Sequence, residues 1–388
     1  MDSTPLDPTA PAARKWTLFW RITVVALFGL FLARAIEASR DDFLAYYAAG
    51  TRALHGISPY LTEETPYRYL PVTAYVFVPF TLFSVSVARI VFFLLNFGAT
   101  ITIYAAIRNR LGNLATLLLA VFFFRFHNHD FGNSQINPML LVLFFYWWKS
   151  REENIMLSTL AFSAFGSFKL LPFALGLPLA VHGRWREISW IGLWTVVLNF
   201  LPVFFYSTGP IVFKDWYTQL KGIDDPVMLS NIQSIQSALW WTLEGHVSHA
   251  AFMIAMRVFQ AIFLLFVVIY APKKNQEAWR IASILAITVL ISPLAWKHNY
   301  LQFLPLGYLW FFEDPKFVEK RTRILYGISM VGMVILPTAF GAWNRGFADR
   351  LYFMPWTGVL VVILGILFAR HAENSSNPTA GRSPPIRI

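Results

Sequence analysis

The sequence predicts an all-α polytopic membrane protein, and three observations carry that reading. Of its 388 residues, 56% are hydrophobic and only 14% are charged, with a mean hydropathy of +0.51, a balance outside the range of soluble domains. The apolar residues form continuous runs, whereas a membrane β-barrel alternates apolar and polar positions over about ten residues. The basic residues fall in short clusters between those runs, as expected of loops held on the cytoplasmic side. The net charge of +11 is therefore assigned to topology, and no nucleic-acid partner is expected.

Composition also removes whole classes of chemistry. There is no cysteine, so disulfides and thiolate metal sites are excluded. The chain has no Gly-rich phosphate loop, no HExxH and no paired histidines at zinc spacing. ATP hydrolysis and zinc catalysis are set aside, and no cofactor or metal is expected. Aromatic residues make up 17% of the chain, and many tryptophans stand at the ends of apolar runs, where indole suits the headgroup region.

In chain order, residues 1–13 are rich in Pro, Ala and Thr and are predicted to be a disordered cytoplasmic tail. Residues 14–370 form a single membrane domain. Arg14 and Lys15 precede the first apolar run, residues 16–36, which reads as a retained signal anchor with its N-terminus in the cytoplasm. Arg21 and Arg34 lie near its ends, where they can snorkel. An external loop over residues 37–67 follows. The segment 68–85 (YRYLPVTAYVFVPFTLFS) can be an interfacial or re-entrant helix or a crossing, and the parity of the basic clusters favours the first.

Those clusters are Arg108 with Arg110, Lys149 with Arg151, Arg184 with Arg186, Lys273 with Lys274, Lys316 to Arg323, and the tail from Arg370. Between them lie candidate spans at 86–107, 112–126, 136–148, 155–168, 169–182, 189–207, 250–271, 278–295, 300–312, 324–340 and 352–370. With the first span this makes a bundle of about twelve transmembrane helices, although several are shorter than the ~20 residues a crossing needs. Residues 371–388 have linker composition and are predicted to be a disordered cytoplasmic tail. Every polar stretch then falls on the outer side, including a loop from His127 to Asn137 and one from Trp343 to Arg350.

Five stretches could carry chemistry. Asp41 and Asp42 follow the first span; either can cap the next helix or act as a base at the bilayer edge, where ionisable groups are affordable. Lys169 stands in an apolar run before Pro172 and can snorkel or hold a phosphate as a point charge. The turn SPLAWKHNY offers Trp296, Lys297 and His298, readable as interface anchors or as phosphate and proton handlers. The stretch HNHDFGNSQIN carries His127, His129 and Asp130, whose i, i+2 histidine spacing does not suit a metal site, and Gln135 and Asn137, which can bond sugar hydroxyls or satisfy helix ends. Finally, Gln233 leads the segment QSIQSALWW, which suits either carbohydrate or an interfacial helix.

Taken together these stretches resemble glycosyltransferase family 87, polytopic α-mannosyltransferases of the GT-C superfamily that use a polyprenyl-phosphate-linked sugar. DFLAYYAAGTRALHGISPY (Asp42 to Tyr60) is similar to that family's first external loop, with its acidic residue, Tyr pair and late Gly-x-x-x-Tyr. YRYLPVTAYVFVPF resembles its aromatic-Tyr-Pro-Pro step, with Leu70 in place of the first proline. GNSQIN resembles Gly-Gln-x-Asn, with two residues between Gly132 and Gln135. FKLLP matches Lys-x-x-Pro, and SPLAWKHNY matches Ser-Pro-x-x-Trp-x-His-His with Asn299 replacing the second histidine.

The resemblance implies a GT-C-like bundle with external loop helices in the cell membrane, and catalysis by Asp42 as general base with Asp41 as an extra acidic neighbour. The donor would be a polyprenyl-phosphate-linked sugar and the acceptor a glycolipid or glycan. Lys169 and His298 would hold the departing phosphate, with Arg68 a further cation and Tyr69 beside it. The competing class is a transporter or flippase for a lipid-linked or anionic solute, which would need ionisable groups along the spans.

Overall fold

The computed structural model describes residues 11–37, 42–60, 66–221, 234–270, 277–292, 295–312, 324–325, 327–329, 331–332 and 353–375. Its secondary structure is helical, with no β-strand among the described residues. Asp41, Gln233, the Lys273–Lys274 and Lys316 to Arg323 clusters, the loop from Trp343 to Arg350 and most of the span 324–340 lie outside them.

Helix α1 is Pro11–Glu37, so helix begins inside the segment read as a tail. It is followed by α2 (Asp42–Leu54) in the loop, a short α3 (Pro71–Val76) with a 3-10 turn at Val78–Leu82, and α4 (Val85–Gly132). Next come α5 (Asn137–Ser150), α6 (Ile155–Phe168), α7 (Gly176–Val181), α8 (Trp185–Phe200), α9 (Ile211–Lys221), α10 (Ile235–Leu243) and α11 (His249–Tyr270). The last three are α12 (Glu277–Leu290), α13 (Leu304–Phe312) and α14 (Phe353–Ser375), the last continuing five residues past the predicted onset of the tail.

Among the described residues, four helices are long and apolar enough to cross a membrane: Lys15–Glu37, Val85–Gly132, Trp185–Phe205 and His249–Phe266. The predicted 169–182 span is built in two pieces, a 3-10 turn at Leu171–Leu175 running into the six-residue α7. Pro172 and Pro178 explain the break, since proline withholds the N–H of a regular ladder. The 68–85 segment is likewise broken, its apolar part covering only Pro71–Leu82, short of the ~20 residues of a crossing.

Helix α4 contains two limbs. Gly112 has φ +76 and ψ 179, a conformation open almost only to glycine, and there the chain doubles back. Phe93 of the first limb meets Phe131 of the second with ring centroids 5.6 Å apart, and Tyr104 bonds His127 Nε2 at 3.2 Å. The predicted spans 86–107 and 112–126 are thus an antiparallel pair. The second limb runs to Gly132, so His127, His129 and Asp130 stand on helix and not in a loop; the apolar periodicity fades there, but backbone helix continues.

The end of that limb is a Schellman turn. Gln135 N–H returns to Asp130 O at 2.9 Å and Ser134 N–H to Phe131 O at 3.2 Å. Ser134 occupies the left-handed position with φ +48, where glycine is the unstrained choice. The glycine of the Gly-Gln-x-Asn pattern therefore corresponds in place to Ser134, not to Gly132.

At the centre lies α12, with every residue from Trp279 to Leu290 buried, as expected of a helix that is apolar all round. It packs on α11, α13 and α14, while α5, α6 and α8 pack in series beside it. Large apolar side chains are exposed along α1, α8 and α11, among them Val25, Val196 and Ile262, the surface that a lipid-facing perimeter requires.

At one end of the bundle a half-buried ionic cluster ties α5, α8 and α12 together. Arg151 donates to both carboxylate oxygens of Glu277, at 3.1 and 2.7 Å. Arg184 bridges Glu277 at 3.0 Å and Glu152 at 2.6 Å, and Trp147 Nε1 donates to buried Glu187 at 2.7 Å.

Two stability predictions follow from the backbone. Gly50 lies against the Phe77 carbonyl, where an added Cβ would stand 2.8 Å from its carbon and oxygen. Gly50→Ala should cost about 1–3 kcal/mol, read as a lower midpoint in detergent thermal unfolding. Ser134→Gly should gain about 1 kcal/mol by relieving the left-handed strain, read as a raised midpoint in the same measurement.

Candidate active site

Helix α2 begins at Asp42 because its first-turn carboxylate suits the positive helix end. The Asp42 side chain is exposed, and its backbone N–H donates to Asn133 O at 3.2 Å, which docks the start of α2 on the α4–α5 turn. Phe43, Tyr46, Ala49, Gly50 and Ala53 form the buried stripe of α2. Tyr46 stacks on Phe77 with centroids 4.6 Å apart at 14°.

Lys169 ends α6, its backbone turned to φ −134 and ψ 96 just before the Pro172 turn. Its Nζ donates to Asn299 Oδ1 at 3.2 Å and lies 5.8 Å from the centre of the Tyr69 ring, a cation–π distance. Asp42 and Asp130 are both within electrostatic reach of that ammonium. The loop carrying Tyr69 is held to the end of α6 by Leu70 N–H donating to Ser167 O at 3.4 Å. A cavity of about 170 Å³ opens here; Arg68, Tyr69, Lys169 and Asn299 line its polar side, and Leu171 and Val289 its apolar side.

The remaining predicted residues that the structure describes lie outside the lining of this cavity. Gln135 is buried and accepts from Tyr46 Oη at 3.4 Å. Asn137 opens α5 and donates to Asp130 Oδ1 at 2.6 Å. His298 is buried, stacked at 6° on half-buried Trp296. Lys297 is also buried and lies within electrostatic reach of His129. Among the segments read as possible carbohydrate contacts, Ser234 caps α10 by accepting from Ser237 N–H at 3.0 Å, and Gln236 packs toward Met253.

Two residues at the site escaped the sequence reading of roles. The sequence reads Asp130 only as a candidate metal ligand in a loop, yet it is fully buried and bonded to Asn137, and among the described residues its Oδ2 has no hydrogen-bond partner. Tyr46 was one of a tyrosine pair; its hydroxyl pairs with Tyr69 Oη at 3.0 Å. The i, i+4 spacing of Asp42 and Tyr46 on α2 was the available signal.

A sequence model of glycosyltransferase family 87 matches residues 67–293, more than half of the chain, and the chain belongs to that family. A curated protein called GPI mannosyltransferase 1, from Dictyostelium discoideum, is 25% identical over 150 residues, covering 36% of this chain and 33% of that protein. The chain thus spans about a third of the length of that relative. The family match takes in Tyr69, Gln135, Asn137 and Lys169; Asp42 and His298 lie outside it in sequence, Asp42 joining it through its bond to Asn133 and His298 lying within electrostatic reach of Lys169.

Burial pushes the His298 imidazole well below its ordinary 6.5, and the nearby Lys169 and His129 act in the same direction. His298 is therefore neutral at physiological pH and can offer phosphate a hydrogen bond but no charge. Because the folded state favours the neutral form, its stabilising contribution is present above pH 6.5 and is lost as pH falls below it. His298→Gln should make the loss of thermal stability between about pH 6.5 and pH 4.5 shallower by up to one proton, measured as midpoint against pH.

Proposed function

We propose that the protein is a hexosyltransferase that moves mannose or another hexose from a polyprenyl-phosphate-linked donor to a lipid or envelope-glycan acceptor, with inversion. In this reading the chain crosses the cell membrane about twelve times in a GT-C-like bundle, both termini are cytoplasmic, and the site opens on the outer face. The observation that carries it is an exposed carboxylate, Asp42, within electrostatic reach of the Lys169 ammonium, which lines a largely apolar cavity. Family membership supports the transfer, and the name of the relative supports mannose.

The chemistry uses few groups. Asp42 removes the proton of the acceptor hydroxyl as that oxygen bonds to the anomeric carbon. The bond from that carbon to the phosphate oxygen breaks, and polyprenyl phosphate departs with the electron pair. Its charge is met by Lys169, with Arg68 at the rim and a hydrogen bond from neutral His298. Asp42, now protonated, returns its proton to water. Base and leaving group act on opposite faces of the sugar, hence inversion.

Membranes carrying the protein should transfer label from radiolabelled polyprenyl-phosphate mannose. Asp42→Asn should lower the rate by about 100-fold or more, while Asp41→Asn leaves most of it. Lys169→Met should weaken use of the donor. Full activity in Asp42→Asn would overturn the assignment.

A further inference from the structure

Tyr46 takes no part in the chemistry above, yet its hydroxyl stands where the parts of the site meet. It lies one helical turn after Asp42, so the two side chains leave α2 on the same side. Its side chain is only 1% exposed and its ring is fixed by stacking on Phe77. The hydroxyl pairs with Tyr69 Oη at 3.0 Å and donates to Gln135 Oε1 at 3.4 Å.

Each partner leads to a different wall. Tyr69 lies beneath the Lys169 ammonium. Gln135 belongs to the turn whose Asn133 carbonyl receives the Asp42 N–H. A single phenol oxygen thus links the helix bearing Asp42, the loop under Lys169 and the α4–α5 turn. Burial raises its pKa well above 10.0, so it remains a hydroxyl, able to donate, at any working pH.

We infer that Tyr46 is a positioning residue that sets the offset between the proton-accepting Asp42 and the phosphate-binding Tyr69–Lys169 wall. This rests on the glycosyl-transfer reading. A base misplaced by a fraction of an ångström loses rate without losing substrate, because binding and alignment are separate demands. The aromatic stack keeps the Tyr46 ring in place when only the oxygen is removed.

The test is a double-mutant cycle in the full-length protein, with radiolabelled polyprenyl-phosphate mannose as donor in membranes. Tyr46→Phe should lower kcat about 10-fold while donor KM stays within about twofold. Tyr69→Phe, which removes the other half of the same hydrogen bond, should match it, and the double variant should lose about 10-fold rather than about 100-fold. Affinity of purified Tyr46→Phe for polyprenyl phosphate should remain within about twofold of wild type.

An unchanged kcat in Tyr46→Phe overturns the inference, as do losses that multiply or a fall in polyprenyl phosphate affinity that matches the fall in rate. If Tyr46→Phe does not fold, Tyr69→Phe decides the same question alone. An active wild type that Asp42→Asn silences, together with an unaffected Tyr46→Phe, rejects the inference and leaves the transfer reading standing. A wild type that neither transfers nor binds polyprenyl phosphate, or an active Asp42→Asn, rejects both.

Discussion

One cation in a poorly solvated place governs the polar end of this bundle. An ammonium near hydrocarbon costs several kcal/mol unless it is paired, and Lys169 is met by the Asn299 amide, the Tyr69 ring and the fields of Asp42 and Asp130. These groups come from α2, the loop before α3, the second limb of α4, the end of α6 and the turn after α12. The need to satisfy one charge therefore accounts for the convergence of five distant segments. It also leaves that charge next to an open cavity, where a phosphate could take the place of part of its present company.

The opposite end of the bundle solves a related problem differently. There Arg151, Arg184, Glu187 and Glu277 neutralise one another, with Trp147 supplying a further donor. Every carboxylate named has a partner, so this cluster reads as a staple holding α5, α8 and α12, not as a site for a ligand. Removing one partner from a largely buried pair such as Arg151–Glu277 typically costs about 3–5 kcal/mol. Helices α5, α6 and α12 join the two ends and have 14 residues each, a rise of about 21 Å. That is less than the ~30 Å hydrocarbon thickness.

Backbone devices fix where the site residues emerge. Gly112 folds α4 back on itself, which carries Asp130 to the same end as Asp42. The Schellman turn then delivers Gln135 to Tyr46 and Asn137 to Asp130 within three residues. Strain at Ser134 is the cost of doing this without glycine at the left-handed position. Close approach at Gly50 serves the same end, letting α2 lie on the carbonyl of Phe77 so that Tyr46 reaches Tyr69.

The helical membrane class is legible in residue order alone, because continuous apolar runs and the placement of Lys and Arg are local properties of a chain facing lipid. Residue order also pointed to Asp42, Lys169, Gln135 and Asn137, since polar residues interrupting such runs are few and each costs energy unless used. Local signals could not give the length of the short helices, the helical state of His127 to Asp130, or the glycine-like role of Ser134. The tertiary fold alone brings Asp130 and Tyr46 to the same end as Asp42 and Lys169 and buries His298. Burial and pairing depend on segments a hundred or more residues apart, and no window of sequence contains both sides of such a contact.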